Sequence, residues 1–172
     1  MIIKVVDYNQ NWSSEYLKEE KSIRTILEEE WVNSFHIGST SVPGLKAKPI
    51  IDILLVVNDI NKLDSFSTQF QDIGYEVMGE YGIIGRRYFR KGGDNRTHQI
   101  HAFQFDNIQE IERHLLFRDY LRQIPEICKE YGELKSKLAD QYPTDIDGYC
   151  DGKDKFVKKI EKEALKWHWT SR

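Results

Sequence analysis

The stretch Pro49-Ile50-Ile51-Asp52-Ile53-Leu54-Leu55-Val56-Val57 carries one charge in an otherwise apolar run. A short run this apolar and β-branched is expected of a central strand, covered on both faces of a sheet. A carboxylate inside it is costly unless it is paired, hydrogen-bonded or bound to a cation. Asp52 is therefore either a structural acceptor, satisfied by backbone donors or an Arg, or a functional carboxylate. Strands of this composition rarely carry charge without a reason.

Upstream, Ser34-Phe35-His36-Ile37 reads as a strand running into Gly38-Ser39-Thr40-Ser41-Val42-Pro43-Gly44, a loop by its Gly, Ser and Pro content. Gly-Ser at a strand end presents backbone N–H groups and a hydroxyl with little bulk, which suits a phosphate. A P-loop is ruled out because the GxxxxGK[ST] spacing is absent and a strand, not a helix, follows. Further upstream, residues 2–6 read as a short strand. Asn9 or Asn11 caps a helix to about Trp31, with Trp12, Tyr16, Ile23, Ile26 and Leu27 at helical spacing.

Downstream, Asp59 caps a helix to about Ile73, which Gly74 ends. Tyr75–Met78 and Arg87–Lys91 read as a strand pair, and Thr97–Phe105 as the next strand. Asn107-x-x-Glu110 resembles a capping box opening a helix to about Ile124. Pro125 breaks the chain, 126–141 is helical, 145–152 is a loop, and 153–168 is the last helix. The expectation is one α/β domain over 1–172, a mixed sheet flanked by helices with further helices at the C-terminal end.

Composition narrows the function classes. The 172 residues suffice for one core without metal or disulfide staples. A net charge of −3 does not favour a nucleic-acid partner. Cys128 and Cys150 lack metal-ligand spacing and read as free thiols, so a reducing cytoplasmic setting is expected. No apolar run approaches the ~20 residues of a membrane span, and the N-terminus has no apolar signal region.

Several other residues carry candidate chemistry. His98 and His101 are three apart on a strand, so a regular pleat sends them to opposite faces and makes them a poor chelating pair. His101 shares a face with Gln99 and Phe103 and could serve as base or metal ligand, or as a hydrogen-bonded structural histidine. His114, Arg118 and Arg122 form one polar stripe at i, i+4, i+8. Such a stripe is either a solvated face or a set of anion ligands. Arg86, Arg87, Arg90, Lys91 and Arg96 cluster near a hairpin, some facing a ligand and others keeping an edge soluble. Lys48 and Lys153 are single candidates for the same anion. Trp31, Trp167 and Trp169 read as packing rather than as a base-stacking platform.

A strand, a Gly-Ser, about a dozen residues and an apolar strand with a central Asp together resemble the nucleotidyltransferase signature. There the Gly-Ser holds nucleotide phosphates and strand carboxylates bind Mg²⁺. This chain departs from the signature in having Ile50 and Leu54, not acids, two residues either side of Asp52.

More closely, His36-Ile37-Gly38-Ser39-Thr40-Ser41-Val42-Pro43-Gly44-Leu45 and Lys48-Pro49-Ile50-Ile51-Asp52-Ile53 resemble the GrpB family. So do Arg87-x-Phe89, His98-x-x-His101, His114-x-x-Phe117-Arg118-Asp119-Tyr120-Leu121-Arg122 and Tyr149-x-x-x-Lys153-x-x-Phe156. That resemblance implies a nucleotidyltransferase-like fold and kinship with the domain fused to dephospho-CoA kinase in some bacteria.

Two readings follow. One is a Mg²⁺-dependent nucleotidyl or phosphoryl transferase, with Asp52 (also the metal ligand) and His101 catalytic. Gly38, Ser39, Thr40, Lys48, Arg87, His98, His114, Arg118 and Lys153 would then bind a small nucleotide or phosphate ligand. The other is a binding or chaperone-like module that keeps the anionic-ligand pocket without catalysis, as the missing second carboxylate suggests.

Overall fold

A computed structural model describes residues 2–170. A five-stranded mixed sheet is flanked by helices, as the sequence pattern predicts. The strands are β1 (Trp31–Ile37), β2 (Ile51–Val57), β3 (Tyr75–Val77), β4 (Arg87–Lys91) and β5 (His98–Gln104), in the order β1-β2-β5-β4-β3. β2 lies inside the sheet, antiparallel to β1 and parallel to β5. Its apolar composition follows from that position, since both its faces are covered.

On one face, β2 places Ile51, Ile53, Leu55 and Val57 against Trp12, Tyr16, Ile23 and Leu27 of α1 (Asn11–Leu27). On the other, Leu54, Val56 and Phe103 meet Ile111 and Leu115 of α4 (Ile108–Gln123). Each such aliphatic side chain contributes about 1.5–3 kcal/mol when fully buried. Asp52 belongs to this second face. Two short helices, α2 (Ile60–Leu63) and α3 (Ser67–Asp72), precede the β3–β4 hairpin. Asp59 caps α2 by accepting from the N–H groups of Asn61 and Lys62, at 2.9 and 3.3 Å. The long helices α5 (Pro125–Gln141) and α6 (Ile146–Thr170) pack with α4 into a second cluster. Val42 and Leu45 of the loop after β1 insert into that cluster, which brings the Gly-Ser loop to the helices.

The single helix expected from Asp59 to about Ile73 is instead two, α2 and α3, joined by a 3-10 turn at Asp64–Phe66. The structure corrects four further local expectations. Residues 2–6 contribute only an isolated bridge between Val6 and Ala47. Pro49, with no N–H to give, stands two residues on, where a longer ladder would need a donor. α1 ends at Leu27 instead of reaching Trp31, and Trp31 already pairs with Val57 in β1. The buried length of β2 requires backbone partners along its whole run. Asn107 precedes α4 but makes no side-chain cap.

The fourth correction is that 146–152 is helix. Asp145 Oδ1 accepts from Gly148 N at 3.0 Å and starts α6 early. Gly148 and Gly152 look like helix breakers, but they are where side chains would collide, with Tyr142 and Asp145 at 148 and with Leu138 of α5 at 152. Among the described residues, no helix is long and apolar enough to cross a membrane.

Candidate functional site

β1 hands the chain to the loop at Gly38, whose φ is +72°. Ile37 pairs with Asp52 in the sheet, so Gly38 comes down beside that carboxylate. A β-carbon at position 38 would stand 2.6 Å from Asp52 Oδ2. Glycine is needed both for the positive φ and for this approach. Ser41 closes the turn, its N and Oγ donating to Gly38 O at 3.1 and 2.5 Å.

Thr40 is buried under the loop. Its hydroxyl lies 2.9 Å from His36 Nε2 and donates to Ile50 O at 3.1 Å. With its single proton spent on Ile50, Thr40 accepts from His36, which fixes the His36 tautomer with N–H on Nε2. His36 stacks on Tyr16 at 5.0 Å between ring centres. Burial pushes its pKa down to about 4; Arg122 and Arg118 add to this, while Asp52 opposes it. Thr40 thus fastens the loop to β2 instead of standing at the cavity.

Asp52 meets His101 across β2 and β5, with Nε2 donating to Oδ1 at 3.3 Å. Arg86 Nη1 lies 3.4 Å from His101 Nδ1. A guanidinium can only donate, so Nδ1 accepts and Nε2 carries the proton toward Asp52. Arg86 is itself held by the carbonyls of Glu80 and Tyr81, at 3.1 and 2.7 Å. Behind His101, the ring of His114 lies 5.5 Å away, its Nδ1 donating to Glu110 O at 2.8 Å. Burial, helped by His101 and Arg113, pushes His114 down to about 3. His114 is a neutral packing partner of the Asp52–His101 pair.

The remaining wall is cationic. A cavity of about 100 Å³ is lined by Ser39, Lys48, Ile50, Asp52, Gln99, Lys135, Tyr149 and Lys153. Lys135 comes from α5; Tyr149 and Lys153 are one turn apart on α6. Lys48 and Lys153 lie over the Tyr149 ring, at 5.0 and 5.3 Å from its centre. Lys135 is 2% exposed, its Nζ over Tyr131 at 4.5 Å, with no hydrogen-bond partner. Tyr149 Oη is likewise buried without a partner. Burial, reinforced by Lys153, draws Lys135 well below and Lys48 below the ordinary lysine range. Burial pushes the Tyr149 phenol up to about 12, so it stands as a neutral donor.

A cation over a ring recovers at most about 2 kcal/mol. Taking an ammonium out of water costs several kcal/mol. The ring contact of Lys135 therefore does not cover its burial.

The structure gathers Gly38, Ser39, Lys48, Asp52, His101 and Lys153 around this end of β2 and sends other candidates elsewhere. Arg87 lies on the opposite sheet face and pairs with Asp64 at 2.8 Å. Strand alternation turns His98 toward α1, where its Nε2 stands 3.7 Å from Glu19 Oε2. Arg118 donates to His36 O at 3.1 Å, and Arg122 donates to Ser41 O at 3.0 and 2.8 Å. Arg118 and Arg122 of the α4 stripe thus clamp the two ends of the Gly38 loop, forming neither a solvated face nor a wall of the cavity.

Lys135 and Tyr149 were not among the sequence candidates. Tyr149 at least sits four residues before Lys153, within one helical turn; nothing local marks Lys135. The donor set does not fit a two-metal centre. Asp52 is the one carboxylate in the cavity wall, three lysines share that wall, and the described residues contain no group of three or more His, Cys, Asp or Glu able to hold a metal ion.

Comparison with known proteins agrees with the motifs. YqkA of Bacillus subtilis is 45% identical over 165 residues, covering 96% of this chain. The chain spans 48% of the length of YqkA. The crystal structure of the conserved protein GrpB from Enterococcus faecalis matches at a TM-score of 0.94 and 52% identity, over 96% of this chain and 99% of that one. The poly(U) polymerase Cid1 overlaps distantly, with a TM-score of 0.49 and 13% identity over 77% of this chain and 45% of that one, too little to carry an argument about chemistry. The model of the GrpB protein family matches residues 2–163, and the chain belongs to that family.

Proposed function

We propose that this chain binds a small phosphate-bearing ligand of the nucleotide class at the end of β2, between the Gly38-Ser39 loop and helices α5 and α6. One observation carries the reading: Ser39, Lys48, Lys135, Tyr149 and Lys153 line a single cavity beside Asp52. All five can donate hydrogen bonds, and Asp52 is the only anion in that wall. A ligand rich in anionic oxygens supplies what these donors lack.

Nucleotidyl or phosphoryl transfer is the second reading, and the Arg86–His101–Asp52 chain favours it. With Nδ1 facing Arg86, His101 directs its proton toward Asp52 and holds that carboxylate at the cavity edge. In a transfer reaction, Asp52 would accept the proton of an incoming hydroxyl. A single Mg²⁺ arriving with the ligand's phosphates would find Asp52 as its protein carboxylate.

A thermal-shift screen of nucleoside triphosphates and coenzyme A-type ligands, with Mg²⁺ and with EDTA, tests the ligand class. A ligand that binds only the folded chain raises the melting temperature by mass action. A screen in which no phosphate-bearing compound moves the melting temperature would remove the proposal.

A further inference from the structure

We propose that Lys48, Lys135 and Lys153, with Tyr149 and Ser39, form a metal-independent subsite for one phosphate dianion, carried on the ligand or free. This deepens the proposed function and rests on its ligand class. It differs in what offsets the phosphate charge: lysines of this chain instead of a metal held by Asp52.

Three observations support it. First, the cavity measures about 100 Å³ and opens to solvent. A pocket for a whole nucleotide-sized ligand is roughly 300 Å³ or more, so this one has room for one tetrahedral group, with the rest of a ligand outside. Second, two donors in its wall, Lys135 Nζ and Tyr149 Oη, are buried and unpartnered. Buried polar atoms without a protein partner are rare in folded proteins; a ligand, an ion or water satisfies them. These two, unlike Trp31 Nε1 and Arg96 Nε, stand in the wall of one cavity. Third, among the described residues none of the three lysines forms an ion pair with a carboxylate; their contacts are the faces of Tyr149 and Tyr131.

Ligand chemistry follows from the count of donors. A carboxylate has two oxygens and one charge, too few for three ammonium groups and two hydroxyls. A phosphate dianion has more acceptor oxygens and twice the charge, arranged to meet donors converging from the loop, α5 and α6. Burial holds the Lys135 pKa well below the ordinary lysine range, and a dianion beside it would raise it.

The test titrates the full chain with inorganic phosphate and with ATP, each in EDTA and in Mg²⁺, following the melting temperature against a chloride control of matched ionic strength. The expected result is stabilisation by phosphate, or by ATP, in EDTA. Lys135→Met should weaken that binding roughly ten- to hundred-fold, the range for losing a charged hydrogen bond, while the ligand-free melting temperature holds or rises. Lys46→Met, an exposed lysine outside the cavity wall, should bind like the parent. Lys153→Met carries the same test if Lys135→Met does not fold. ATP acting in EDTA where free phosphate does not still supports the subsite, provided Lys135→Met abolishes the effect. Stabilisation by ATP that needs Mg²⁺ and survives both lysine substitutions overturns the subsite and leaves the ligand class standing. No response to either compound in any buffer overturns the subsite, and the ligand class falls with it when the wider screen of nucleoside triphosphates and coenzyme A-type ligands is silent too.

Discussion

A β-carbon on Gly38 would lie 2.6 Å from Oδ2 of Asp52, and the backbone at Gly38 holds a φ of +72°. Loop and carboxylate are so close that the loop can pass only without a side chain. Gly38→Ala combines a positive-φ penalty with a collision against the site. It should lower stability by about 1–3 kcal/mol and displace the Asp52 carboxylate. Chemical denaturation measures the first effect; a loss of no more than a few tenths would mean that the loop relaxes freely.

Asp52→Asn separates the two ways of holding a phosphate. The substitution is nearly isosteric and removes the one negative charge in a wall with three lysines. The ligand-free protein should lose stability on the order of 1 kcal/mol, from lost attraction across several ångströms. Phosphate binding in EDTA should tighten, because a like charge has gone. If Asp52 instead holds a metal, the same variant abolishes Mg²⁺-dependent ATP binding, so the sign of the change in affinity decides.

Tyr149→Phe deletes a buried hydroxyl that has no partner. Removing an unsatisfied polar atom costs the fold nothing, so stability should hold or rise by up to about 1 kcal/mol. Phosphate affinity should drop by about ten-fold or more, the worth of one hydrogen bond to a charged acceptor. A lower melting temperature with unchanged phosphate affinity would assign the hydroxyl a structural role.

Acid should destabilise the fold before the carboxylates titrate. Unfolded, His36 and His114 take up protons near pH 6.5; folded, they do so only near about 4 and about 3. Between these values the unfolded chain binds more protons. Stability is therefore fully present above pH 6.5 and is lost as pH falls toward 4 and below. His36 alone accounts for roughly 3 kcal/mol of this by the pKa-to-energy conversion. His36→Gln, with an amide to donate to Thr40, should flatten the curve of urea midpoint against pH between pH 6.5 and 4. An equally steep curve in the variant would clear His36 of that role.

By itself, the sequence determined what is local. The apolar run around Asp52 named the buried strand, because a strand covered on both faces has few other compositions. Strand alternation separated His98 from His101, and the structure places them on opposite faces. The Gly-Ser after β1 marked the loop that meets Asp52. Tertiary structure alone decided which charges face the cavity beside Asp52. Lys135 sits in a helix whose sequence gives it no distinction from the solvated lysines around it, and it is buried because α5 packs beneath the Gly38 loop and beside α6. Arg118 and Arg122 read equally well as anion ligands, yet they hold backbone carbonyls of the loop. Gly148 and Gly152 looked like loop residues and instead allow α6 to approach its neighbours, which aims Tyr149 and Lys153 at the cavity. The physical reason is one of range. A backbone preference is set within a few residues, whereas the burial of a charge depends on which distant elements close over it.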